Sequence, residues 1–551
     1  MDSQTKQCQN CKKDFVIEPD DVEMLVGLDL PNPELCPACI WQHLLAFWVF
    51  GKFRKGKSGL SGKTIFTVLP ENVAFPIYDR EEWVSDKWDP LTYGQDYNQN
   101  KLFFEQFKEL QNKVPHPHQS VGPNNTNCEW CDDVSHSKNC YLCRSLYECE
   151  DLFYNYRVIG GKTSIDLVFC FKMENSYDCT YCFDSYQLKH SFNSRNCMNS
   201  SFLYDCRSCQ DCFMCWNLRN KQYHILNQPY SKDEYLEKVK SFAVDSYKNL
   251  QKIKKEYLEA VASQAIHKEN LNVKTASSVG NFLEECKGCQ NCFFLQKSEN
   301  CRNSFRGIMK DVIYTVSTFA GEKAAYSLMD WTTFGTANTF YCSNCRYSYY
   351  LNCCDNCEYC FGCVGLKNKS YCVFNKQYSK EEYEALVAKI KDQMKKDGEW
   401  GKFFPLSLAY GGYNLSTANC YFPETKESIN KLGGRWEEIV DSAKDGISGD
   451  DVPDQISFVS DDFSKQAIIC PATKWRFNIA SEELKFYKRF GIPLPHYHPD
   501  KRVLDNFKLL TVTNPETCKC YFCSKEIIHY YPAEWGYKKI ACVECYQREV
   551  A

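Results

Sequence analysis

The amino-acid sequence predicts a mixed, β-rich fold. A duplicated cysteine-rich β-solenoid-like module with capping helices lies between tandem zinc-ribbon-like units at both ends. Three observations predict this fold: a long internal repeat without gaps, a three-residue period inside that repeat, and paired Cys-x-x-Cys motifs near both ends. Internal repeats are typical of solenoids, and paired Cys-x-x-Cys motifs are typical of structural zinc sites.

The internal repeat has an offset of 148 residues. The first copy contains Cys206, Cys209, Cys212, Cys215, Leu218, Asn220, Lys221, Tyr223, Asn227, Tyr230, Ser231, Lys232, Glu234 and Tyr235. The second copy contains Cys354, Cys357, Cys360, Cys363, Leu366, Asn368, Lys369, Tyr371, Asn375, Tyr378, Ser379, Lys380, Glu382 and Tyr383. Because so many positions keep the same spacing without a gap, the sequence predicts a duplicated module.

The three-residue period is clearest in residues 171–215, which divide into five nine-residue units. Small or apolar residues fill every third position of these units, and Asn or Asp recurs at the fifth. This spacing fits neither a 3.6-residue helix nor an alternating strand. It favours a tight solenoid that turns at Asn and Asp residues, for which we expect two nine-residue units in each coil.

The cysteine runs of the two modules have two interpretations. In the first they are reduced core residues, because a free cysteine behaves as a small hydrophobic residue. In the second they bind metal, because the run from Cys206 to Cys215 resembles a ferredoxin run. That run departs from ferredoxins in its last spacing, two residues rather than three, and in Trp216, which replaces the proline. We favour the first interpretation and leave the second open for both runs, Cys206/Cys209/Cys212/Cys215 and Cys354/Cys357/Cys360/Cys363.

Both ends of the chain carry two Cys-x-x-Cys motifs. The predicted metal ligands are Cys8, Cys11, Cys36 and Cys39 at one end and Cys520, Cys523, Cys542 and Cys545 at the other. Four thiolates complete a tetrahedral site and leave no coordination position for substrate. The sequence therefore predicts two structural Zn²⁺ sites.

The two ends are also related to each other, at an offset of 462 residues. This offset places Cys8 on Cys470, Phe15 on Phe477 and Ile65 on Ile527. Each end is therefore predicted to be a tandem in which one unit has lost its metal ligands. The residues at the corresponding ligand positions are Ser58, Ser61, Arg80 and Trp83 in the N-terminal tandem, and Cys470, Thr473, His498 and Lys501 in the C-terminal tandem. Weak zinc binding by Cys470 with His498, helped by His496, remains an alternative to an empty site.

The predicted domains follow from these repeats. They are residues 1–95 (tandem ribbons, the second degenerate), 96–230 (module 1), 231–280 (helical hairpin), 281–378 (module 2), 379–460 (helix and aromatic, Gly-rich connector) and 461–551 (tandem ribbons, the first degenerate). Ser231 with Glu234 and Ser379 with Glu382 have the spacing of capping boxes, so a helix is predicted after each module. These helices are expected to cap the ends of the solenoid.

Composition restricts the class of protein. The 36 cysteines, together with an N-terminus that has no apolar signal-peptide core, favour a reduced, cytoplasmic metalloprotein over a secreted disulfide protein. No stretch has the length and apolar character of a transmembrane helix, so no membrane association is expected. The net charge of −4 argues against general binding to free duplex DNA.

One resemblance to a known family rests on three segments. These are residues 83–94 (WVSDKWDPLTYG), 103–107 (FFEQF) and 398–405 (GEWGKFFP), together with the two cysteine modules. Here the chain resembles a family of uncharacterised cysteine-rich, zinc-ribbon-flanked proteins predicted from genomes of small uncultivated bacteria. Val84 stands where that family commonly has a second tryptophan. The resemblance implies the same architecture over nearly the whole chain and implies no activity.

Two classes of function fit these features. The favoured one is a non-enzymatic scaffold whose terminal ribbons dock on a protein or ribonucleoprotein partner, with an RNA contact through Lys52, Arg54, Lys55 and Lys57. The alternative is an enzyme, either an iron–sulfur redox protein or a polysaccharide-active solenoid. The second form of enzyme requires paired carboxylates, for which Glu148, Glu150 and Asp151 are candidates.

Overall fold

A computed structural model describes residues 2–328, 332, 334–438, 445–510 and 513–550. Parts of the predicted domains 281–378, 379–460 and 461–551 therefore lie outside the described residues. The chain forms two compact units: unit 1 is Met1–Gln119 with Asn270–Glu437, and unit 2 is Ser120–Glu269 with Glu438–Ala551. Each unit thus joins one terminal tandem to the cysteine-rich module that lies farther from it in the sequence. The boundaries predicted within the units stay predictions.

The fold is mixed and rich in sheet, as predicted. The α-helices of the described residues are α1 Pro19–Val26, α2 Pro37–Leu45, α3 Arg80–Val84, α4 Phe103–Lys113, α5 Lys232–Ser241, α6 Tyr247–Gln264, α7 Lys380–Lys396, α8 Thr417–Tyr421, α9 Lys426–Lys431, α10 Ser481–Phe490, α11 Pro499–Phe507 and α12 Val543–Val550. Within the described ranges, none of these helices has the length and apolar composition required to cross a membrane.

The strands before residue 270 are β1 Gln4–Gln7, β2 Asp14–Ile17, β3 Arg54–Lys57, β4 Thr64–Thr67, β5 Ile77–Tyr78, β6 His116–Pro117, β7 Cys131–Ser135, β8 Cys143–Tyr147, β9 Glu150–Phe153, β10 Tyr156–Ile159, β11 Lys162–Glu174, β12 Tyr177–Thr180, β13 Phe183–Phe192, β14 Met198–Tyr204, β15 Gln210–Trp216, β16 Gln222–Ile225, β17 Gln228–Pro229 and β18 Ile266–Lys268. Those after it are β19 Gly280–Asn281, β20 Cys292–Leu295, β21 Phe305–Met309, β22 Phe319–Ala320, β23 Ser327–Leu328, β24 Ala337–Phe340, β25 Tyr349–Asn352, β26 Glu358–Phe361, β27 Ser370–Val373, β28 Lys376–Gln377, β29 Ile447–Ser448, β30 Ala467–Ile469, β31 Arg476–Asn478, β32 Glu516–Lys519, β33 Glu526–His529 and β34 Lys539–Ala541.

Mainly parallel sheets form both cysteine-rich modules, and the last strand of each, β17 or β28, pairs antiparallel. Unit 2 has an 11-stranded sheet from β7 to β17, and unit 1 has sheets of four strands (β19–β22) and six strands (β23–β28). Tyr156 pairs with both Arg144 and Val168, so neighbouring strands are twelve residues apart in the sequence. In unit 1, Ala337 pairs with Tyr349 at the same spacing. The expected coil of two nine-residue units is therefore wrong, because paired residues lie twelve apart in most of the strands and eleven apart between β21 and β22.

The nine-residue spacing has a different origin, which is the hydrogen bonding of the thiols. The Sγ–H of Cys206 donates to the carbonyl oxygen of Cys215 at 3.6 Å. Cys197 donates in the same way to the carbonyl oxygen of Cys206 at 3.7 Å. A residue and the one nine positions later are therefore neighbours across adjacent strands, although the repeat of the backbone is longer.

Left-handed backbone conformations produce the three-residue period. Asp205, Ser208, Asp211 and Met214 have φ values of 51°, 53°, 48° and 52°. Each of them precedes one of the inward-facing cysteines of module 1, Cys206, Cys209, Cys212 and Cys215, all of which are buried. Asn and Asp tolerate this conformation better than most residues, which explains their recurrence at the turns.

Inward-facing serines and cysteines make the same hydrogen bonds in these modules. The Ser200 hydroxyl donates to the Met198 carbonyl at 2.7 Å and accepts from the Cys212 N–H at 3.0 Å. The Cys170 thiol donates to the Val168 carbonyl at 3.5 Å and accepts from the Cys182 N–H at 3.4 Å. Buried thiols thus satisfy backbone groups as serine hydroxyls do, and all of the cysteines are free of disulfides.

The predicted capping boxes are confirmed, and each begins a helix after its module. The Ser231 hydroxyl accepts from the Glu234 N–H at 3.4 Å, and the Glu234 carboxylate accepts from the Ser231 N–H at 3.0 Å. Ser379 and Glu382 make the same pair of bonds at 3.2 and 2.9 Å. In their respective units α5 contacts β16 and α7 contacts β27, so each helix covers the last strands of its module.

The two terminal tandems have the same order of elements at the 462-residue offset. We call their four parts the first ribbon (residues 4–45), the second ribbon (54–84), the third ribbon (467–507) and the fourth ribbon (516–550). The bounds of α2, β3 and β4 fall on those of α11, β32 and β33 when 462 is added. This repeat of secondary structure agrees with the predicted relationship between the ends.

Aromatic contacts hold the first ribbon against module 2 in unit 1. The Trp41 ring of α2 lies 5.3 Å from the ring of Phe293 and 5.6 Å from that of Phe305. The Trp41 indole N–H also donates to the Asn303 carbonyl at 2.9 Å. In unit 2 the corresponding helix of the third ribbon packs in the same manner, with Phe507 lying 4.7 Å from Tyr156.

A buried histidine of unit 2 predicts a loss of stability in acid. His267 is stacked on Tyr537 at 3.5 Å, and its ring nitrogens bond to the Tyr204 hydroxyl at 2.7 Å and the Val261 carbonyl at 3.2 Å. Burial lowers the pKa of His267 from 6.5 to about 3. The unfolded chain binds a proton at His267 more readily than the folded chain does, so the folded state is most stable above pH 6.5. This stability is lost progressively as the pH falls from 6.5 towards the folded-state pKa. At pH 5 the loss amounts to about 2 kcal/mol.

This prediction is tested by urea unfolding at pH 7 and pH 5. His267→Gln is expected to reduce the difference in unfolding free energy between the two conditions by about 2 kcal/mol. His136→Gln, at an exposed site, serves as the control and should preserve the difference. An unchanged difference in His267→Gln would contradict the prediction.

Candidate metal centres

The first predicted quartet is brought together by a hairpin and a helix. In the turn between β1 and β2, the Cys8 N–H donates to the Lys13 carbonyl at 2.9 Å, and Lys12 has a φ of 61°. This turn places the thiols of Cys8 and Cys11 on one side. Cys36 is the N-cap of α2 and Cys39 lies in its first turn, so the helix supplies the other two thiols.

The second quartet is built in the same way in the fourth ribbon. The Cys520 N–H donates to the Lys525 carbonyl at 2.8 Å, and Ser524 has a φ of 61°. Strand β34 leads into Cys542, and α12 carries Cys545 in its first turn. Each quartet therefore combines the turn of a hairpin with the start of a helix.

The ligand atoms of each quartet lie within 4.8 Å of one another, as metal coordination requires. The Sγ atoms of Cys11 and Cys36 are 3.7 Å apart, and those of Cys523 and Cys542 are 3.8 Å apart. A tetrahedral metal with metal–sulfur bonds of about 2.3 Å places its sulfur atoms about 3.8 Å apart. Both quartets thus have the dimensions of a four-thiolate metal site.

Backbone N–H groups stabilise the thiolates. The Cys36 N–H donates to Cys8 Sγ, and the Cys542 N–H donates to Cys520 Sγ, both at 3.3 Å. Burial alone would raise the pKa of Cys520, but the N–H donors of Cys542, Cys523 and Phe522 lower it to about 6. A hydrogen bond with Cys39 is the main cause that lowers the pKa of Cys36 to about 5. In each quartet one thiol, Cys36 or Cys520, therefore favours the deprotonated form that binds metal, whereas the contact with Cys36 raises the pKa of Cys39 and burial raises the pKa of Cys542.

Exposure is distributed identically in the two quartets. Cys11 and Cys523 are exposed, whereas the other three cysteines of each quartet are buried. A metal ion there would be surrounded by protein on three sides, with one sulfur facing solvent. Four protein ligands leave no open position for a substrate, so this arrangement suits a structural role.

In the second ribbon, hydrogen bonds occupy the turn that corresponds to the cysteine turn of the fourth ribbon. The Ser58 hydroxyl donates to the Glu82 carboxylate and accepts from the Asp79 N–H at 3.1 Å. The backbone turn is retained, because the Ser58 N–H donates to the Lys63 carbonyl at 2.8 Å. This ribbon thus keeps the hairpin turn with a serine in place of the first cysteine, and its degenerate state stays a prediction.

The third ribbon also keeps its turn and lacks a complete ligand set. The Cys470 N–H donates to the Trp475 carbonyl at 2.9 Å. His498 is the N-cap of α11, where its Nδ1 accepts from the Asp500 N–H at 3.1 Å, and His496 is stacked on Tyr247 at 3.5 Å. In the described part of the chain these three residues do not form a group of ligand atoms within 4.8 Å. The choice between an empty site and a weak zinc site at Cys470 and His498 stays open.

The thiols of the cysteine runs in the modules donate mainly to backbone carbonyls. Among the described residues, groups of three or more ligand atoms within 4.8 Å occur in the two terminal quartets. Cys212 Sγ instead donates to the Gln210 carbonyl at 3.3 Å, and Cys360 Sγ donates to the Glu358 carbonyl at 3.5 Å. These contacts favour the reduced-core interpretation of both runs.

The basic residues of segment 52–57 have different surroundings. Arg54 donates to the carbonyls of Leu69 and Pro70 at 2.6 and 3.0 Å, so its guanidinium stabilises the ribbon. Lys52 is half-buried, whereas Lys55 and Lys57 are exposed. The side chains that present positive charge to solvent are therefore those of Lys55 and Lys57.

The candidate carboxylates of module 1 take part in contacts between neighbouring strands. Glu150 pairs with Lys138 at 3.2 Å, and the Asp151 carboxylate accepts from the Asn139 side chain at 2.9 Å. Glu148 is exposed. Such contacts are typical of polar side chains on the surface of a sheet.

Sequence reasoning missed an exposed apolar position that the two complete ribbons share. Val16 and Ile528 have exposed fractions of 47% and 52%, and each lies eight residues after the first cysteine of its quartet. They face Thr5 and Thr517 across their hairpins. The common distance from the first cysteine was the signal that marks this position.

Comparisons of the chain with protein-family models, with curated proteins and with solved structures give no match.

Proposed function

We propose that the protein is a zinc-stabilised binding scaffold that docks on a protein or ribonucleoprotein partner through its terminal ribbons. The observation that carries this proposal is the pair of four-cysteine groups whose sulfur atoms lie within 4.8 Å. Four thiolates suit Zn²⁺ in a closed tetrahedral site, which contributes to folding rather than to catalysis. The family resemblance and the reduced, cytoplasmic setting belong to the same proposal, which the 36 free cysteines support.

Each cysteine-rich module forms the core of its own unit in this scaffold, and we interpret the two modules as duplicated β-solenoids. The twelve-residue register and the left-handed residue at every third position support coils with four short sides. In module 1 one such coil is lined by Cys206, Cys209, Cys212 and Cys215, one on each side. Solenoids expose long regular surfaces and are commonly used for binding.

The docking faces are the outer surfaces of the two complete ribbons. The first ribbon exposes Val16 beside Thr5, and the fourth exposes Ile528 beside Thr517, with Tyr521 at the turn. The degenerate second ribbon adds Lys55 and Lys57 as contacts for RNA phosphates in a ribonucleoprotein partner. An apolar centre with a polar edge is typical of protein interfaces.

Site-specific photo-crosslinking in cells of the source tests the docking. A benzophenone side chain at position 16 or 528 is expected to give discrete crosslinked partners, and RNase treatment before analysis separates ribonucleoprotein partners from protein partners. Positions 236 and 258 are controls, because Leu236 and Leu258 are exposed at 53% and 56% on α5 and α6. Crosslinks of equal yield at the control positions, or none at 16 and 528, would refute docking through the ribbons.

A further inference from the structure

Unit 1 contains an open groove where the first ribbon meets module 2. The groove has a volume of about 600 Å³ and lies between the start of α1 and the segments around Gln290 and Arg302. Pockets of about 300–1,000 Å³ are typical of ligand sites. The groove does not include the cysteine sulfurs of the first quartet, so it is a site distinct from the metal centre.

Unit 2 has a corresponding junction, between the third ribbon and module 1. One hydrogen bond in each unit shows which residues of the two junctions correspond. Asp21 and Glu483 are 462 residues apart, and each is the third residue of a helix with a capping box. Asp21 accepts from the Asn303 side chain at 3.4 Å, and Glu483 accepts from the Tyr154 hydroxyl at 2.8 Å. Asn303 therefore corresponds to Tyr154, an offset of 149 residues within the modules.

The junction of unit 2 is filled with apolar side chains. At the 149-residue offset, Gln290, Asn291 and Arg302 correspond to Tyr141, Leu142 and Phe153. These three residues pack against a buried cluster that contains Tyr154, Phe477 and Tyr487. Shorter or polar side chains at the same positions leave the groove open in unit 1. The junctions of the two units thus differ at the positions where a ligand would bind, although the elements around them correspond.

The charges of the open groove favour a cation. Arg302 donates to the carboxylates of both Asp21 and Asp20, the second at 3.3 Å. The Asp20 side chain is nevertheless 74% exposed, and Glu18 adds a third carboxylate to the lining. Three carboxylates and one guanidinium give a formal charge of −3 + 1 = −2.

Apolar surface accompanies this charge. Val16 and Val279 line the groove with exposed fractions of 47% and 53%. A lysine or arginine side chain combines a cationic head with an apolar stem, and a neighbouring apolar residue would cover the two valines. Val16 also belongs to the proposed docking face of the first ribbon, so the groove continues that face.

We propose that this groove binds a basic segment of a protein partner, with a lysine or arginine beside Asp20 and an apolar residue on Val16 and Val279. This inference rests on the proposed scaffold function and adds the chemistry of the partner. It requires the groove to remain open, as the side chains of Gln290 and Asn291 allow.

Fluorescence anisotropy of a labelled peptide that alternates lysine and leucine, titrated with the full-length metal-loaded chain, tests the proposal. The double variant Gln290→Tyr/Asn291→Leu fills the groove with the residues of unit 2. Its backbone is compatible, because Leu142 has a φ of 51° and Asn291 has a φ of 52°. We expect binding to weaken at least about tenfold in this variant and about threefold in Asp20→Asn. Glu482→Gln, the equivalent of Asp20 in unit 2, should bind as the wild type does.

Three results would overturn the proposal that the groove binds a basic segment. They are no binding of the lysine–leucine peptide, equal binding of a glutamate–leucine peptide, or undiminished binding by the filled variant. Metal content and melting temperature are measured for every variant. If the filled variant misfolds, Glu18→Gln/Asp20→Asn tests the same charges without added volume. If the peptide does not bind but the metal content and the ribbon crosslinks are intact, only the proposal for the groove is refuted. Absence of metal refutes the proposed function itself.

Discussion

Replacing Cys39 with serine is expected to remove one metal equivalent from the purified chain and to destabilise unit 1 by at least about 3 kcal/mol. Cys39 is 6% exposed and lies in the first turn of α2, so its thiolate cannot be replaced by water without opening the ribbon. Binding of structural zinc contributes about 10–16 kcal/mol in isolated zinc fingers, and three thiolates retain only part of it. Metal analysis and urea unfolding of the variant provide the measurement.

Cys206→Ser is the matched control, because Cys206 is equally buried and lies in module 1. Its Sγ donates to the carbonyls of Tyr204 and Cys215 at 3.6 Å. Inward-facing serines such as Ser200 already make such bonds, so we expect a cost of about 1 kcal/mol or less and an unchanged metal content. Loss of a metal equivalent in Cys206→Ser would favour the iron–sulfur alternative. Full metal content in Cys39→Ser would contradict the first site.

Arg502→Leu is expected to lower the unfolding free energy of unit 2 by about 3–5 kcal/mol. The Arg502 guanidinium donates two hydrogen bonds to the Asp166 carboxylate, at 2.7 and 3.1 Å. The Asp166 side chain is only 2% exposed. Burial already raises the pKa of Asp166 against the effect of Arg502, so the variant leaves a carboxyl group without its compensating charge. Urea unfolding at pH 7 measures the effect.

Two further variants test the cause of this loss. Asp166→Asn added to Arg502→Leu removes the unpaired charge, and we expect it to recover about half of the lost stability. The exposed pair Lys485–Glu482 on α10 has a distance of 2.6 Å, and Lys485→Ala should cost less than about 0.5 kcal/mol. Similar costs for Arg502→Leu and Lys485→Ala would show that the third ribbon is not held to module 1 by the buried pair.

Local features of the fold were predictable because short-range spacing determines them. The capping residues Ser231 and Ser379 mark helix starts in the sequence and in the structure. The ligand quartets were likewise predictable, because two residues between cysteines set the geometry of the hairpin turn. The 462-residue offset also located the degenerate positions, since Ser58 occupies the same turn as Cys520.

The register of the paired strands was not predictable from the cysteine spacing. Cysteines nine residues apart, such as Cys206 and Cys215, are linked by an Sγ–carbonyl contact rather than by strand register. The register depends on which strands pair, and inward-facing Ser and Cys are interchangeable in that pairing. The three-residue period is therefore visible in the sequence, whereas the twelve-residue register of the strands is not.

The assembly of each unit from distant segments was also beyond sequence reasoning. The contacts that join them are single long-range pairs, such as Trp41 with Phe293 and Arg502 with Asp166. Neither pair belongs to a repeated motif. The groove of unit 1 was missed because its lining combines the start of α1 with distant segments of module 2.

X-ray absorption at the zinc edge, combined with elemental analysis of the purified full-length chain, tests the central claim most directly. The account predicts two zinc ions per chain, each with four sulfur ligands at about 2.3 Å, in a colourless protein. Iron with visible absorbance, less than one zinc per chain, or a shell containing nitrogen or oxygen ligands would contradict it.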